Sequence, residues 1–97
     1  MITVIVHHYV LQEQLELAES NIKNNGKAMR DFAGFISRQT LHAQEDPLQV
    51  TTVTTWNSAE ELQAWDNRPG RPQPQPNAPT LWSAPIERGM FEVTPEL

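Results

Sequence analysis

Three histidines are the side chains of this 97-residue sequence best suited to proton transfer: His7, His8 and His42. A buried imidazole can accept a proton at neutral pH, because its unperturbed pKa is about 6.5. His7 and His8 fall in a predicted strand, where neighbouring residues point to opposite faces, so only one of them can face a given cavity. We take His7, which shares its face with Tyr9, as the candidate catalytic base. The alternative is a structural histidine that lines the sheet or a dimer seam.

The same histidines argue against a metal centre. Adjacent strand residues are poor joint ligands of one ion, and no spacing among the three histidines matches a zinc site. His42 precedes a predicted turn and is expected at the surface. The sequence has no cysteine, which excludes disulfides and thiolate ligands. We therefore predict no bound metal.

Three tryptophans are a large aromatic load for so short a chain: Trp56, Trp65 and Trp82. Trp65 falls on a predicted helix beside the expected cavity, where its ring could stack on a flat aromatic substrate. Packing in the core is the alternative for Trp65. For Trp56, at the end of a predicted strand, core packing is favoured.

Polar side chains near these groups supply candidate substrate contacts. Tyr9 is expected to line the cavity together with His7. Asn67 follows Trp65 at the helix end, where its amide could orient a carbonyl or phenolate oxygen, and a role in ending the helix is the alternative.

Two arginines on predicted strands, Arg38 and Arg88, could each neutralise an anionic substrate oxygen. Cross-strand ion pairs with Glu87 or Glu92 are the alternative for both arginines.

The elements that must position these residues follow from the hydrophobic periodicity. They are predicted as a strand over 2–10, a helix over 12–32, strands over 35–42 and 48–56, a helix beginning at 58 and a strand over 86–93. This is the order of the split βαβ, or ferredoxin-like, α+β fold with an antiparallel sheet. We predict one domain over 1–97, since this length favours a single domain.

Local signals support these bounds. Ser58 with Glu61 has the pattern of a capping box, which marks the start of the second helix. Gly34 separates the first helix from the second strand. The segment 24–26, Asn-Asn-Gly, is a weak patch where the first helix could kink or break.

A sheet with helices on one face only leaves its other face bare. Ile36, Val53 and the valines of the first strand make water a poor partner for that face. Two copies joined sheet to sheet would cover it, and a two-fold contact is the commonest form of assembly. We therefore predict a homodimer.

Five prolines fall within 68–79, a spacing that no helix can continue. We predict an extended, polyproline-like loop there. The loop could be a ligand for a polyproline-binding module, but a surface connection or a cover over the cavity is favoured.

Composition narrows the class of partner. Acidic residues outnumber basic ones by 12 to 7 and no cluster of Lys and Arg stands out, so nucleic-acid binding is not expected. The first residues lack the pattern of a signal peptide, and no stretch approaches the ~20 apolar residues that span a membrane. A cytoplasmic protein without membrane contact is predicted.

The segments 34–41 and 50–65 carry a resemblance to a known family. They read Gly-Phe-Ile-Ser-Arg-Gln-Thr-Leu and Val-Thr-Thr-Val-Thr-Thr-Trp-Asn-Ser-Ala-Glu-Glu-Leu-Gln-Ala-Trp, a β-hairpin that runs into a capped helix ending near Trp65. This pattern resembles the antibiotic biosynthesis monooxygenase family. The resemblance implies a dimeric α/β barrel with its substrate between the helices and the sheet.

Two branches of that family bear on the reaction. Cofactor-free members oxidise polycyclic phenols or anthrones with oxygen, whereas haem-degrading members use a first-strand Asn, a second-helix Trp and a downstream iron-binding His. Trp65 matches the helix Trp, the first-strand position falls near His7, and no histidine follows His42. The resemblance thus implies a cofactor-free monooxygenase of an aromatic or polycyclic phenol. Haem degradation and a non-catalytic binding or stress-response dimer are the alternatives.

In the cofactor-free scheme, His7 would remove a proton from the phenol or anthrone. The carbanion would pass an electron to oxygen, and recombination would give a peroxide that collapses to a quinone. Trp65 would stack on the substrate, and the other contacts would come from Tyr9, Asn67 and Arg38.

Overall fold

The computed structural model describes residues 1–71 and 80–97 and contains strands and helices in the predicted order. The bounds are β1 (Ile2–Tyr9), a 3-10 turn (Gln12–Gln14), α1 (Leu15–Arg30), β2 (Phe35–His42), β3 (Gln49–Trp56), α2 (Ala59–Asp66) and β4 (Glu87–Glu92). The first helix is shorter than predicted, because its first turn is a separate 3-10 turn. Within the described ranges, no helix has the length and apolarity needed to cross a membrane.

The four strands form one antiparallel sheet in the order β2-β3-β1-β4. At its centre, Val4 of β1 pairs with Thr54 of β3 on one side and with Met90 of β4 on the other. Both helices pack on the Val4 side of the sheet. The ferredoxin-like α+β fold predicted from the sequence is thereby confirmed.

Two clusters of buried side chains join the helices to the sheet. One consists of Val4, Met29, Trp56, Leu62 and Trp65, and the other of Val10, Ala18, Ile22 and Val50. Each large apolar side chain buried in this way contributes about 1.5–3 kcal/mol to folding. The clusters therefore fix both helices over the sheet and leave the space between them as a cavity.

The α1 helix runs without a break through its weak segment 24–26. Gly26 is buried there because the Arg38 side chain lies against it, and a Cβ built on Gly26 would be 2.7 Å from Arg38 Nε. The break considered from the sequence is therefore wrong. The glycine is explained by a close approach between helix and side chain.

The α2 helix begins where the sequence predicted. Ser58 Oγ accepts a hydrogen bond from the Glu61 backbone N–H at 3.2 Å and donates to Glu61 Oε1 at 3.0 Å. Gly34 has a φ of +89°, and its carbonyl accepts from the Asn57 N–H at 2.7 Å, just before the cap. This contact fixes the start of α2, and with it the position of Trp65.

The sheet face opposite the helices is open. Ile5 lies at its centre, paired with Val53 of β3 and Gly89 of β4. Leu41 and Phe91, on the two edge strands, are 46% and 52% exposed on this side. The bare face expected from the sequence is thus present on the protomer, but the valines of β1 do not contribute to it, because Val4 and Val6 lie on the helix side.

Most of the loop predicted over 68–79 lies outside the described residues. Where the described chain resumes, Trp82 pairs with Val10 in a single antiparallel bridge, and Leu11 N–H donates to Leu81 O at 2.9 Å. These contacts place Trp82 beside His8, with 5.2 Å between the ring centroids.

Candidate functional site

A cavity of about 320 Å³ lies between the sheet and the two helices. Its floor is made by Val4, Val6, Thr52 and Thr54 of the two central strands, and side chains of both helices form its walls. The volume is at the lower end of the roughly 300–1,000 Å³ of small-molecule sites. A bicyclic or tricyclic aromatic molecule is of this size.

His8 is the histidine of the cavity. Its Nδ1 lies 3.0 Å from the carbonyl oxygen of Val50. Because a carbonyl only accepts, Nδ1 carries the proton and Nε2 keeps its lone pair. Burial lowers the pKa of His8, the charge of Arg38 adds to that effect, and the bond to Val50 opposes it. His8 is therefore a neutral imidazole with a free acceptor nitrogen at pH 7.

His7 and Tyr9 lie on the opposite face of the sheet. His7 Nδ1 hydrogen-bonds with Thr51 Oγ1 at 2.8 Å, and the Tyr9 hydroxyl donates to the Glu87 carboxylate. That carboxylate raises the pKa of Tyr9. The protomer does not bring either of these predicted site residues to the cavity, because successive residues of a strand face opposite ways.

The sequence contained a signal that favours His8 over His7. Ile2, Val4 and Val6 share one face of β1, Val10 continues the same alternation just after the strand, and position 8 belongs to it. The most apolar face of a strand is the one that packs against helices. Sequence reasoning noted this alternation but grouped the candidate base with Tyr9.

Trp65 serves both as a core residue and as a wall of the cavity. It is 5% exposed, and its ring centroid lies 5.2 Å from that of Phe32 and 6.0 Å from that of Trp56. Arg68 covers the ring, with its guanidinium carbon 3.5 Å from the centroid. The cavity therefore presents Trp65 together with Arg68, a stacked pair that sequence reasoning did not identify.

Arg38 lines the same cavity from β2. Its Nη2 donates to Ile22 O at 3.0 Å and its Nη1 contacts Met29 Sδ at 3.7 Å. Among the described residues it has no carboxylate partner, so the ion pair considered with Glu87 or Glu92 is not formed. Burial lowers the pKa of Arg38, with a smaller effect from Arg30, and the group remains a cation at neutral pH.

Arg88 lies on the opposite side of the cavity. It does not form the cross-strand ion pair considered from the sequence. Its Nη2 donates to Asp66 Oδ2 at 2.8 Å, an ion pair with α2 rather than with a neighbouring strand. Arg71 donates to the Asp66 backbone oxygen at 2.7 Å. Arg88 therefore links β4 to α2 at the cavity rim.

Asn67 ends α2 and does not line the cavity. Its backbone N–H donates to Gln63 O at 3.0 Å, and the residue is exposed. His42 lies at the surface, 3.1 Å from Glu19 Oε1. Across residues 1–71 and 80–97, no cluster of three or more His, Asp or Glu side chains is placed to hold a metal.

Fold and site define a class of protein: a ferredoxin-like α+β domain with a basic, aromatic cavity between sheet and helices. The family model described as antibiotic biosynthesis monooxygenase matches residues 1–71, and the chain belongs to that family. The resemblance seen in the sequence is thereby confirmed. No curated protein sequence matches the chain.

Solved structures share this fold over nearly the whole chain. An antibiotic biosynthesis monooxygenase superposes with a TM-score of 0.81 at 15% identity, covering 98% of this chain and 100% of its own. SnoaB, a cofactor-independent oxygenase from Streptomyces nogalater, gives 0.76 at 16% identity, covering 96% and 92%. A variant of MhuD with two manganese protoporphyrin IX molecules per active site gives 0.73 at 23% identity, covering 96% and 94%.

Proposed function

We propose that this protein is a cofactor-independent monooxygenase that oxidises an aromatic or polycyclic phenol with molecular oxygen. The supporting observation is the neutral imidazole of His8 in a cavity that Trp56, Trp65 and Trp82 also line. General bases work best when their pKa lies near the working pH and when they are held within reach of the substrate. We therefore assign the role of general base to His8 instead of His7.

The reaction balances without a bound cofactor. His8 Nε2 takes a proton from an activated CH₂ group of an anthrone-like substrate, and the carbanion gives one electron to O₂. The radical and superoxide combine to a peroxide, which His8 protonates. Loss of water from the hydroperoxide leaves a carbonyl, so one oxygen atom enters the product and the other leaves as water. The cavity supplies a low-dielectric site, and its arginines stabilise the enolate oxygen.

Because His7 and His8 are adjacent but face opposite sides of the sheet, a variant of each gives a test and its matched control. Anthrone oxidation is followed by absorbance and by oxygen consumption, with chelator present, for the wild type, His8→Gln and His7→Gln. Loss of a general base lowers the rate by about 10²–10⁴-fold. We expect that loss for His8→Gln and a wild-type rate for His7→Gln. Equal rates in all three proteins would remove His8 from the reaction.

Haem degradation is the alternative that the same cavity must be tested for. His8 is the histidine available there, and the arginines could pair with propionates. A haem is larger than a cavity of about 320 Å³, so the residues as they stand do not fit it. A haem titration followed by ascorbate under air separates the two functions. A saturable band shift, its loss in His8→Gln and release of iron would favour haem degradation.

A non-catalytic binding module would give a third pattern. Such a protein would bind aromatic ligands in the cavity but would consume no oxygen above the uncatalysed rate. The imidazole of His8 in the cavity favours the enzyme, because a module that only binds aromatic molecules needs no proton acceptor there.

The open sheet face supports a homodimer as part of this proposal. Ile5, Val53, Leu41 and Phe91 place apolar area on a face that the helices leave uncovered. Two copies related by a two-fold axis would bury the same patch on both. His7 and Tyr9 lie on that face, so the dimer gives them a structural place outside the cavity.

A further inference from the structure

The charges of this chain are distributed unevenly. Its formal net charge is −5, and it has seven Lys and Arg residues in all. Four of the five arginines line the cavity, namely Arg38, Arg68, Arg71 and Arg88, and one carboxylate, Asp66, lines it with them. Most of the arginines of this acidic protein therefore lie in one concave site. Their positive potentials add there, because the surrounding protein has a lower dielectric constant than water.

The single carboxylate does not balance these cations. Asp66 is held by Arg88 at 2.8 Å. Arg38, on the other side of the cavity, is half-buried and is met by a carbonyl oxygen and a thioether sulfur. A guanidinium has five N–H donors, and most of those on Arg38 have no partner in the described chain. Burying a cation without an anion is costly, so the arrangement favours a ligand that brings one.

The surroundings of Arg38 hold it for such a contact. Gly26 gives the space for its side chain against α1, and the Ile22 carbonyl at 3.0 Å orients the guanidinium plane. Across the cavity, Arg68 is pinned flat on Trp65 by its bond to Trp65 O at 2.8 Å. A planar, fixed guanidinium suits bidentate contact with a planar carboxylate, and a flat aromatic wall suits a ring system.

We propose that the ligand of this cavity is an aromatic acid, a flat ring system that carries a carboxylate, with Arg38 as its anion anchor. The inference rests on the proposed function only in taking the cavity as the reaction site. The ring lies between Trp82 and the stacked pair of Arg68 and Trp65, and the carboxylate offsets the charge of Arg38. Four arginines exceed what a neutral phenol would need, because a phenol presents one weakly acidic oxygen.

Binding measured by calorimetry without turnover tests this proposal. The probes are a hydroxynaphthoate with its hydroxyl and carboxylate on different rings, the matching naphthol and naphthyl phosphate. We expect the hydroxynaphthoate to bind at least 10-fold more tightly than the naphthol. Arg38→Met is expected to weaken the acid by about 10- to 100-fold and to leave the naphthol unchanged. Arg38→Lys, which keeps the charge but not the fork, is expected to fall between, and it stands in if Arg38→Met does not fold.

Arg30→Met is the matched control, because Arg30 is the arginine outside this cavity and its charge still reaches Arg38. Wild-type affinity in Arg30→Met shows that contact, rather than overall charge, is measured. Equal affinity for acid and naphthol, or equal loss of both in Arg38→Met, would overturn the proposal. If naphthyl phosphate binds more tightly than the hydroxynaphthoate, the proposed carboxylate is wrong and the anion of the ligand is a phosphate.

The two proposals fail differently. If the acid binds through Arg38 but no oxygen is consumed with any probe, the anion site stands and the oxygenase falls. If anthrone is oxidised in a His8-dependent way and the acid is not preferred, the oxygenase stands and the anion site falls.

Discussion

Arg38 lies across Gly26 so closely that a Cβ on the glycine would be 2.7 Å from Arg38 Nε. In an open helix, Gly→Ala would raise stability by about 1 kcal/mol. Here the added methyl displaces the guanidinium, so we expect Gly26→Ala to give no such gain and to weaken the hydroxynaphthoate about 10-fold. Urea unfolding and calorimetry measure the two effects. Asn24→Ala, exposed on the same helix, is the control, and a Gly26→Ala protein that is both more stable and equally tight in binding would contradict this account.

The lowered pKa of His8 makes stability depend on pH. In the window between the folded-state pKa and the ordinary value of about 6.5, the unfolded chain binds more protons, so acid favours unfolding. We expect the free energy of unfolding to fall as the pH drops through this window, and His8→Gln to remove part of that fall. The charges that act on His8 are Arg38 on β2 and its neighbour His7. Arg88 and Asp66 line the same cavity.

Thermal unfolding of the wild type, His8→Gln and His7→Gln from pH 8 to pH 5 measures the contribution of His8 to the pH dependence of stability. The His7 variant is the control, since its side chain lies on the other face and its charge has the smallest of the effects on the pKa of His8. Protonation of His8 should also affect catalysis. The rate of anthrone oxidation should fall at acid pH as His8 becomes protonated, and the midpoint of this fall should lie below pH 6.5. A rate that rises on acidification would exclude His8 as the base.

Sequence reasoning reached the fold because the signals for it are local. Alternating β-branched residues in β3 and the cap at Ser58 depend on neighbours within a few positions. It did not reach the basic cavity, since Arg38, Arg68 and Arg88 are far apart in sequence. The strand order β2-β3-β1-β4 and the position of α2 over the sheet bring them to one cavity. No cluster of Lys and Arg is visible along the chain, although one exists in space.

The cap at Ser58 should set the stability of the helix that carries Trp65. Ser58→Ala removes the acceptor for the Glu61 N–H, a change that costs about 0.5–2 kcal/mol at helix N-caps. We expect a loss of about 1 kcal/mol in urea unfolding. Ser20→Ala, an exposed position in the middle of α1, should change stability by less than about 0.5 kcal/mol. Equal effects at both serines would mean that the α2 start is held by other contacts.

Asp66 is predicted to oppose binding of an acid, since it is the carboxylate among the described lining residues. Asp66→Asn removes its charge and frees Arg88, so the hydroxynaphthoate should bind about 2- to 10-fold more tightly. The stability lost with the Arg88 ion pair should be below about 1 kcal/mol, because both groups are partly exposed. Glu60→Gln, on the same helix but outside the cavity, is the control. Weaker binding of the acid in Asp66→Asn would argue that Asp66 positions Arg88 for the ligand.

The open sheet face predicts that two copies of the chain associate through it. Val53 lies at its centre, paired with Ile5 on β1 and Gln39 on β2. A stable two-fold interface buries about 800 Å² from each copy, and an aspartate placed twice at its centre would be desolvated without a partner. We expect light scattering to give a dimer for the wild type and for Val53→Thr, and a monomer for Val53→Asp at the same concentration. A monomeric wild type, or an unchanged dimer in Val53→Asp, would mean that the face is not the interface.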